Sequence, residues 1–237
     1  MVFMVDIAPT VPPPRPPCLS QPRPQPKLHR VSPHPHDLTQ VTPHIFVWQH
    51  YDPDVKADLF STALQADTGI YFIDPIPLTP AELVDPHLSR SPAGIFVTNV
   101  NHLRASTALA AAFSIPIYAN EELSGTPNFP MAHWVGDGES FSPGLTAISI
   151  PGGPAGETAV YHRDNGGTIV IGDAIINFEP YGFSLPPAKY CLNFKRMQKS
   201  LRKLLDYRFQ RVLFAHGTPI VSDGFLRLER LLTDRGC

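Results

Sequence analysis

The chain has 237 residues, 43% of them hydrophobic, and a formal net charge of −2 at neutral pH. This length and composition suffice for one α/β core with a tail, but not for two large domains. The balanced charge lacks the basic excess typical of nucleic-acid binding, so nucleic acid is not expected as a partner. No apolar run reaches the roughly 18 residues that span a bilayer, so a membrane is not expected as a partner either.

Residues 1–41 differ in composition from the rest of the chain, because prolines recur among arginine, glutamine and histidine. So few backbone donors and so little apolar area do not offset the entropy lost on ordering, and we expect a disordered tail. The folded domain is then expected at 42–237. Within the tail, Pro14-Arg15-Pro16-Pro17 has the form of a ligand for a proline-reading partner domain.

Three widely spaced cysteines, Cys18, Cys191 and Cys237, form neither a paired framework nor a metal-binding motif. They indicate free thiols in a reducing compartment, and we expect a cytoplasmic protein. Targeting to an organelle stays open, since the tail contains few acidic residues.

The first half of the folded part alternates between predicted strands and predicted helices. Runs rich in β-branched and aromatic residues predict strands, and helical runs follow Thr-Pro or strand-to-turn signals. The predicted elements are strands at 44–48, 59–65 and 70–73, a weak helix at 79–83, a strand at 93–98, a helix at 102–113, a strand at 115–119 and a short helix near Glu121.

The second half repeats this order. Its clearest signal is Asp164-Asn165-Gly166-Gly167, a hairpin turn between two apolar runs. The predicted elements are strands at 133–135, 139–141, 145–150, 158–162, 168–171 and 211–214, and helices at 193–205 and 223–232. Strands and helices in this order predict an α/β fold, a four-layer αββα sandwich of two mixed β-sheets flanked by helices.

Four short phrases stand at or just beyond the ends of predicted strands. They are Thr-Asn-Val-Asn-His-Leu-Arg at 98–104, Pro-Gly-Gly at 151–153, Gly-Asp at 172–173 and His-Gly at 216–217. In order and spacing they resemble the signatures of the metallo-β-lactamase superfamily: Thr-His-x-His-x-Asp-His, Pro-Gly-His, Gly-Asp and His-Gly. The resemblance covers about 42–232, and it implies the αββα fold and a hydrolase with two metal ions.

The resemblance does not extend to most of the metal ligands. Asn99, Asn101, Leu103 and Arg104 stand at ligand positions of the first signature, and Gly153 replaces the histidine of the second. Amide oxygens are poor zinc ligands, glycine offers no side chain, and a guanidinium repels a cation.

Only Asp173 and His216 are kept at ligand positions, and His102 falls on a variable position whose side chain is expected to point away from the metals. One imidazole and one carboxylate fall short of the three or four protein ligands of a zinc site. We therefore expect no metal and no other cofactor, with zinc entering only if this ligand count is incomplete.

Loss of the metals leaves Asp173 without a compensating charge, and an unpaired buried carboxylate is costly. Arg104 comes from a metal-ligand position and carries a fixed charge on a planar fork suited to a carboxylate. We therefore predict that Arg104 pairs with Asp173, directly or through His216.

Two functions remain open at this stage. The first is binding of a small anionic molecule or a partner in the old active-site crevice, with Asn99, Asn101, Arg104, Asp173 and His216 as ligand-binding residues. The alternative is a hydrolase of the ester, thioester or lactone type, with one metal or none, in which His216 acts as general base and Asp173 orients it. In either case the stretch 178–187 is a candidate wall of the crevice or a plain surface loop.

Overall fold

The computed structural model describes residues 38–78 and 90–233. The weak helix predicted at 79–83 and most of the tail predicted at 1–41 lie outside these residues. The first strand begins at Thr39, three residues before the expected start of the folded domain, and it pairs with the next strand.

Seven strands form the first sheet, in the same order in space as in the chain. They are β1 (Thr39–Thr42), β2 (Ile45–Asp52), β3 (Ala57–Ala66), β4 (Gly69–Ile73), β5 (Pro92–Val97), β6 (Ile117–Asn120) and β7 (His133–Val135). Strands β1 to β4 are antiparallel, and β4 to β7 are parallel. Helix α1 (Ser106–Phe113) connects β5 to β6.

Five strands form the second sheet, in the order β14-β11-β10-β9-β8. They are β8 (Ser140–Ser142), β9 (Leu145–Ser149), β10 (Thr158–His162), β11 (Thr168–Ile171) and β14 (Arg211–Phe214), and only β11 and β14 run parallel. A separate hairpin contains β12 (Ile176–Phe178) and β13 (Gly182–Ser184). Two further helices lie in the second half of the described residues: α2 (Phe194–Leu201), which continues as a 3₁₀ turn over Arg202–Asp206, and α3 (Gly224–Thr233).

The main core lies between the two sheets, and a further apolar layer covers the outer face of each. Alternate residues of β2 serve different layers: Val47 packs between the sheets, whereas Trp48 packs on the outer face of the first sheet with Leu109 of α1. On the second sheet, Met197 of α2 and Leu228 of α3 cover the outer face. Both sheets are thus buried on both faces, and the predicted αββα sandwich is confirmed.

The turn after β5 differs from the predicted helix at 102–113. Asn99 caps a short 3₁₀ turn at Val100–His102 by accepting a hydrogen bond from the Asn101 amide. Arg104 then adopts a left-handed conformation with φ of 41°, which a continuous α-helix does not allow. Helix α1 therefore begins only at Ser106.

The carboxyl ends of four strands meet at one edge of the sandwich. Parallel pairing places Asp74, just after β4, beside Thr98, just after β5. In the second sheet it places Asp173, after β11, near His216, after β14. Side chains that directly follow these strand ends therefore lie close to one another.

No helix in the described ranges, 38–78 and 90–233, is long and apolar enough to cross a membrane.

Gly217 fixes the chain directly after His216. Its φ is +118°, and a Cβ atom there would collide with the backbone of Asn177. We expect Gly217→Ala to lower the free energy of unfolding by about 2 kcal/mol or more, measured by urea titration. Gly138→Ala is the control, because Gly138 also has a positive φ, +77°, but nothing lies within 4 Å of its added Cβ. Equal losses in the two variants would contradict the steric account.

Candidate functional site

His102 lies at the centre of the site, although the sequence predicted that it points away. Its Nδ1 is 2.9 Å from Asp74 Oδ2 and 2.9 Å from Thr98 Oγ1. Its Nε2 is 3.2 Å from Asp173 Oδ1, and the side chain is only 3% exposed. The prediction was wrong because it took the direction of the side chain from the variable position in the superfamily signature, whereas the 3₁₀ turn at Val100–His102 directs the ring inward.

Asp173 receives contacts at both carboxylate oxygens. Its Oδ1 faces His102 Nε2 and also lies 3.4 Å from His216 Nε2. Its Oδ2 accepts a hydrogen bond from Asn99 Nδ2 at 3.1 Å. The ligand-type atoms of His102, Asp173 and His216 all lie within 4.8 Å of one another.

Glu157 is a buried member of the site that the sequence did not indicate. Asn99 donates a hydrogen bond of 2.7 Å to Glu157 Oε2, and the amide of Ala174 donates one of 3.0 Å to Oε1. A Cβ atom built on Gly153 would lie 2.7 Å from Glu157 Cγ. Glu157 therefore fills the space that a side chain at position 153 would need. No sequence motif predicts its contact with Asn99, which lies 58 positions away in the chain.

Arg104 does not form the expected ion pair with Asp173. Its guanidinium donates hydrogen bonds to three backbone carbonyls: Phe60 at 2.6 Å, Asp74 at 3.0 Å and Ala215 at 3.4 Å. Within the described residues, the ion pairs of Asp173 are with His102 and His216. The left-handed backbone at Arg104 turns its fork toward Phe60 within β3 and toward the residues just after β4 and β14, so Arg104 links the two sheets.

The charges of the site balance without any added ion. Burial alone would lower the pKa of His102, but the carboxylates of Asp173 and Asp74 raise it to about 9, so the ring is a cation near neutral pH. Burial would raise the pKa of Asp173, but His102 first, and then His216 and Arg104, lower it well below its ordinary value. The charge of Arg104 thus contributes to this lowering from a distance, without the pairing that the sequence predicted.

Two further groups are neutral near pH 7. Burial, with His102 and Arg104 nearby, lowers the pKa of His216 to about 4 against the opposing effect of Asp173. Burial and the charge of Asp173 raise the pKa of Glu157 to about 8, although His102, Asn99 and the Ala174 amide act in the opposite direction.

The His102, Asp173 and His216 cluster lies on the floor of a crevice of about 700 Å³. Its walls are largely apolar and aromatic, and much of one side comes from the β12–β13 hairpin and the segment after it. These wall residues include Val55, Leu59, Ile176, Phe178, Tyr181, Pro186, Pro187 and Tyr190. The stretch 178–187, for which a wall and a plain loop were both considered, thus contributes to the wall.

Most of the predicted ligand-binding residues reach this crevice. Asn101, Arg104, Asp173 and His216 all line it. Asn99 does not, because it is fully buried and holds Glu157 and Asp173 from behind. Helix α1 contributes no residue to the lining.

Comparison with known sequences decides the family. Residues 39–234 match the model of a family described as the metallo-beta-lactamase superfamily. The chain belongs to the metallo-β-lactamase superfamily. Among curated proteins, no sequence matches it significantly.

Solved metallo-β-lactamase structures share the fold at low sequence identity. The DIM-1 metallo-β-lactamase is 15% identical, with a TM-score of 0.66 over 85% of this chain and 98% of that one. An enzyme from Pontibacter korlensis is 14% identical, with a TM-score of 0.65 over 84% and 100%. A metallo-β-lactamase family protein from Thermus thermophilus is 19% identical, with a TM-score of 0.60 over 82% and 80%. These likenesses establish the fold of this superfamily member.

Removal of the Arg104 side chain tests its role as a link between the sheets. We expect Arg104→Ala to lower the free energy of unfolding by about 2–4 kcal/mol, because three carbonyls in the protein interior lose their donor. Arg90→Ala is the control: Arg90 also donates to two backbone carbonyls, those of Ala66 and Asp67, but it is exposed. Urea titration should show a loss below about 1 kcal/mol for this control; a similarly small loss for Arg104→Ala would contradict the link.

The raised pKa of His102 predicts how stability varies with pH. The folded protein binds the His102 proton more tightly than the unfolded chain, whose ordinary value is 6.5, so this stabilisation is complete below pH 6.5 and is lost as pH rises through about 9. We expect the stability of the wild type relative to His102→Gln to fall across that window in chelator-containing buffer. Urea titrations at several pH values measure this difference, and a constant difference would show that His102 is not the cation.

Proposed function

We propose that this member of the superfamily hydrolyses a small molecule that carries an apolar or aromatic group and an ester, thioester or lactone bond. The observation that supports the proposal is the position of His102, Asp173 and His216 at the floor of an apolar-walled crevice. A concave, largely apolar pocket with a few convergent polar groups is typical of small-molecule active sites. The apolar walls bind the substrate, and the floor places reactive groups beside the bond that breaks.

The residues at the floor have separate roles in this proposal. In the metal-free site, His216 is 19% exposed and neutral near pH 7, so it is able to accept a proton from a water molecule in the crevice. With a metal bound, its Nε2 would be a ligand instead, and the metal would supply the more acidic water. Asp173 contacts the His216 ring and orients it. His102 holds Asp173 from the buried side, and its own ring is held by Asp74 and Thr98.

The donor set of the site fits one metal ion and not two. Two imidazoles and one carboxylate are the minimum protein ligand set of a catalytic zinc site, and His102, Asp173 and His216 supply it. A bound divalent metal would supply Lewis acidity and a more acidic water. The replacements at Asn99 and Gly153 leave no comparable set for a second ion among the described residues.

Binding without catalysis is the second candidate, and two observations favour it. The His102 cation neutralises the site without a metal, and the lining of the crevice includes the cationic side chains of Lys56 and Arg104 beside the acidic Asp52. A small anion with an apolar part would suit these walls, as the sequence predicted.

Hydrolysis assays with phenylacetyl and acetyl esters and thioesters that share one leaving group, and with phenyl-substituted and unsubstituted lactones, distinguish the two candidates; the phenyl-bearing compounds are the aryl members. We expect faster hydrolysis of the aryl members, since their rings contact the aromatic wall. His216→Ala and Asp173→Asn should each lower kcat/KM by about 100-fold or more, since both residues act at the reacting bond. His133→Ala is the control, because His133 is an exposed histidine on β7 outside the crevice.

The result that contradicts hydrolysis is specific. It is binding of the aryl ligands, measured by calorimetry, with no turnover of any ester, thioester or lactone by the wild type. Equal activity of the wild type and His216→Ala would also contradict the proposal.

A further inference from the structure

We infer that His102, Asp173 and His216 form a binding site for a single divalent transition-metal ion, best matched by Zn²⁺, in which His102 is a ligand that the superfamily signature does not provide. The inference rests on the same site as the proposed hydrolase, but its test measures the metal itself. It replaces the expectation of no metal, which counted only Asp173 and His216.

The donor atoms have the spacing of adjacent ligands around one ion. Asp173 Oδ1 is 3.2 Å from His102 Nε2 and 3.4 Å from His216 Nε2. Zinc bonds of 2.0–2.2 Å in a tetrahedron place adjacent ligand atoms about 3.3 Å apart. All three donor atoms lie within 4.8 Å of one another, so an ion would enter with small side-chain movements. As it binds, His102 would release its Nε2 proton to solvent.

The buried side of the site holds the His102 ring in the orientation that a metal ligand needs. Nδ1 lies 2.9 Å from the Asp74 carboxylate, so Nε2 is the nitrogen that faces Asp173. A carboxylate on the far nitrogen of a ligating histidine fixes its tautomer and raises its basicity. Asp74 is itself fixed, because its two oxygens accept hydrogen bonds from the Thr98 amide and the Thr98 hydroxyl.

The other side of the cluster opens to the crevice. Asp173 and His216 are 22% and 19% exposed, whereas His102 is almost completely buried. Three protein ligands leave a fourth tetrahedral position, and the crevice is the side from which water or substrate reaches it.

Neighbouring contacts restrict the site to one ion. The Asn99 amide is engaged with Glu157 and Asp173 Oδ2, and the Glu157 side chain occupies the space beside Gly153. Arg104 is committed to three carbonyls. A second ion would need to displace these hydrogen bonds, and its charge would be opposed by that of Arg104.

Calorimetric titration of the chelator-treated full chain with Zn²⁺ tests the inference, and Co²⁺ absorption reports the coordination geometry. We expect one ion per chain with a tetrahedral spectrum. His102→Ala and His216→Ala should each weaken binding by about 100-fold or more, and His133→Ala should not. Zn²⁺ in excess should raise the Tm of the wild type and of His133→Ala, but not of His102→Ala.

Three results would overturn the inference: no binding by the wild type, binding of two ions, or unchanged affinity in His102→Ala. His216→Ala keeps the test decisive if His102→Ala fails to fold, since His216 is partly exposed. Hydrolysis by a wild type that binds no Zn²⁺ in the titration would refute the metal site and leave the proposed hydrolase. One bound Zn²⁺ without any hydrolysis would support the metal site and refute the proposed hydrolase.

Discussion

The contact of one buried imidazole with two carboxylates organises this protein's site. His102 reaches Asp74 through Nδ1 and Asp173 through Nε2, and the three residues come from turns after β5, β4 and β11. Burial of two carboxylates this close together is unfavourable unless a positive group lies between them. The imidazole satisfies that requirement and connects the edges of the two sheets, so structure and electrostatics depend on the same side chain.

Two other residues support this arrangement. One stands at a metal-ligand position of the superfamily signature, and the other lies beside such a position. Arg104 donates hydrogen bonds to one carbonyl within β3 and to those of the residues just after β4 and β14, which fixes the two sheets around the site. Glu157 fills the space beside Gly153 and holds Asn99, which in turn holds Asp173. The buried polar atoms of this layer are hydrogen-bonded to one another, as stability in a low-dielectric interior requires.

Sequence patterns predicted the strands well where a turn or a motif marks the strand ends. Strands β10 and β11 were placed at their observed bounds, because a strong hairpin turn separates two apolar runs, and β14 likewise ends at its predicted residue. The four signature phrases indicated the superfamily and the ends of the strands at which the site lies.

The arrangement within the site was less predictable, because it depends on local backbone geometry and on long-range contacts. The helical pattern after β5 gave no sign of the left-handed residue Arg104 or of the 3₁₀ turn at Val100–His102, which directs His102 into the site. Glu157 meets Asn99 across 58 positions of the chain. Neither periodicity nor motif spacing contains that information.

The protonation state of His102 in the metal-free protein tests the central interaction most directly. Nitrogen-15 NMR of histidine-labelled protein at pH 7 in chelator, with the His102 signals assigned by their loss in His102→Gln, reports the charge on each ring. The account predicts an imidazolium at His102, with both nitrogens protonated, beside a neutral ring at His216. A neutral His102 under these conditions would contradict it.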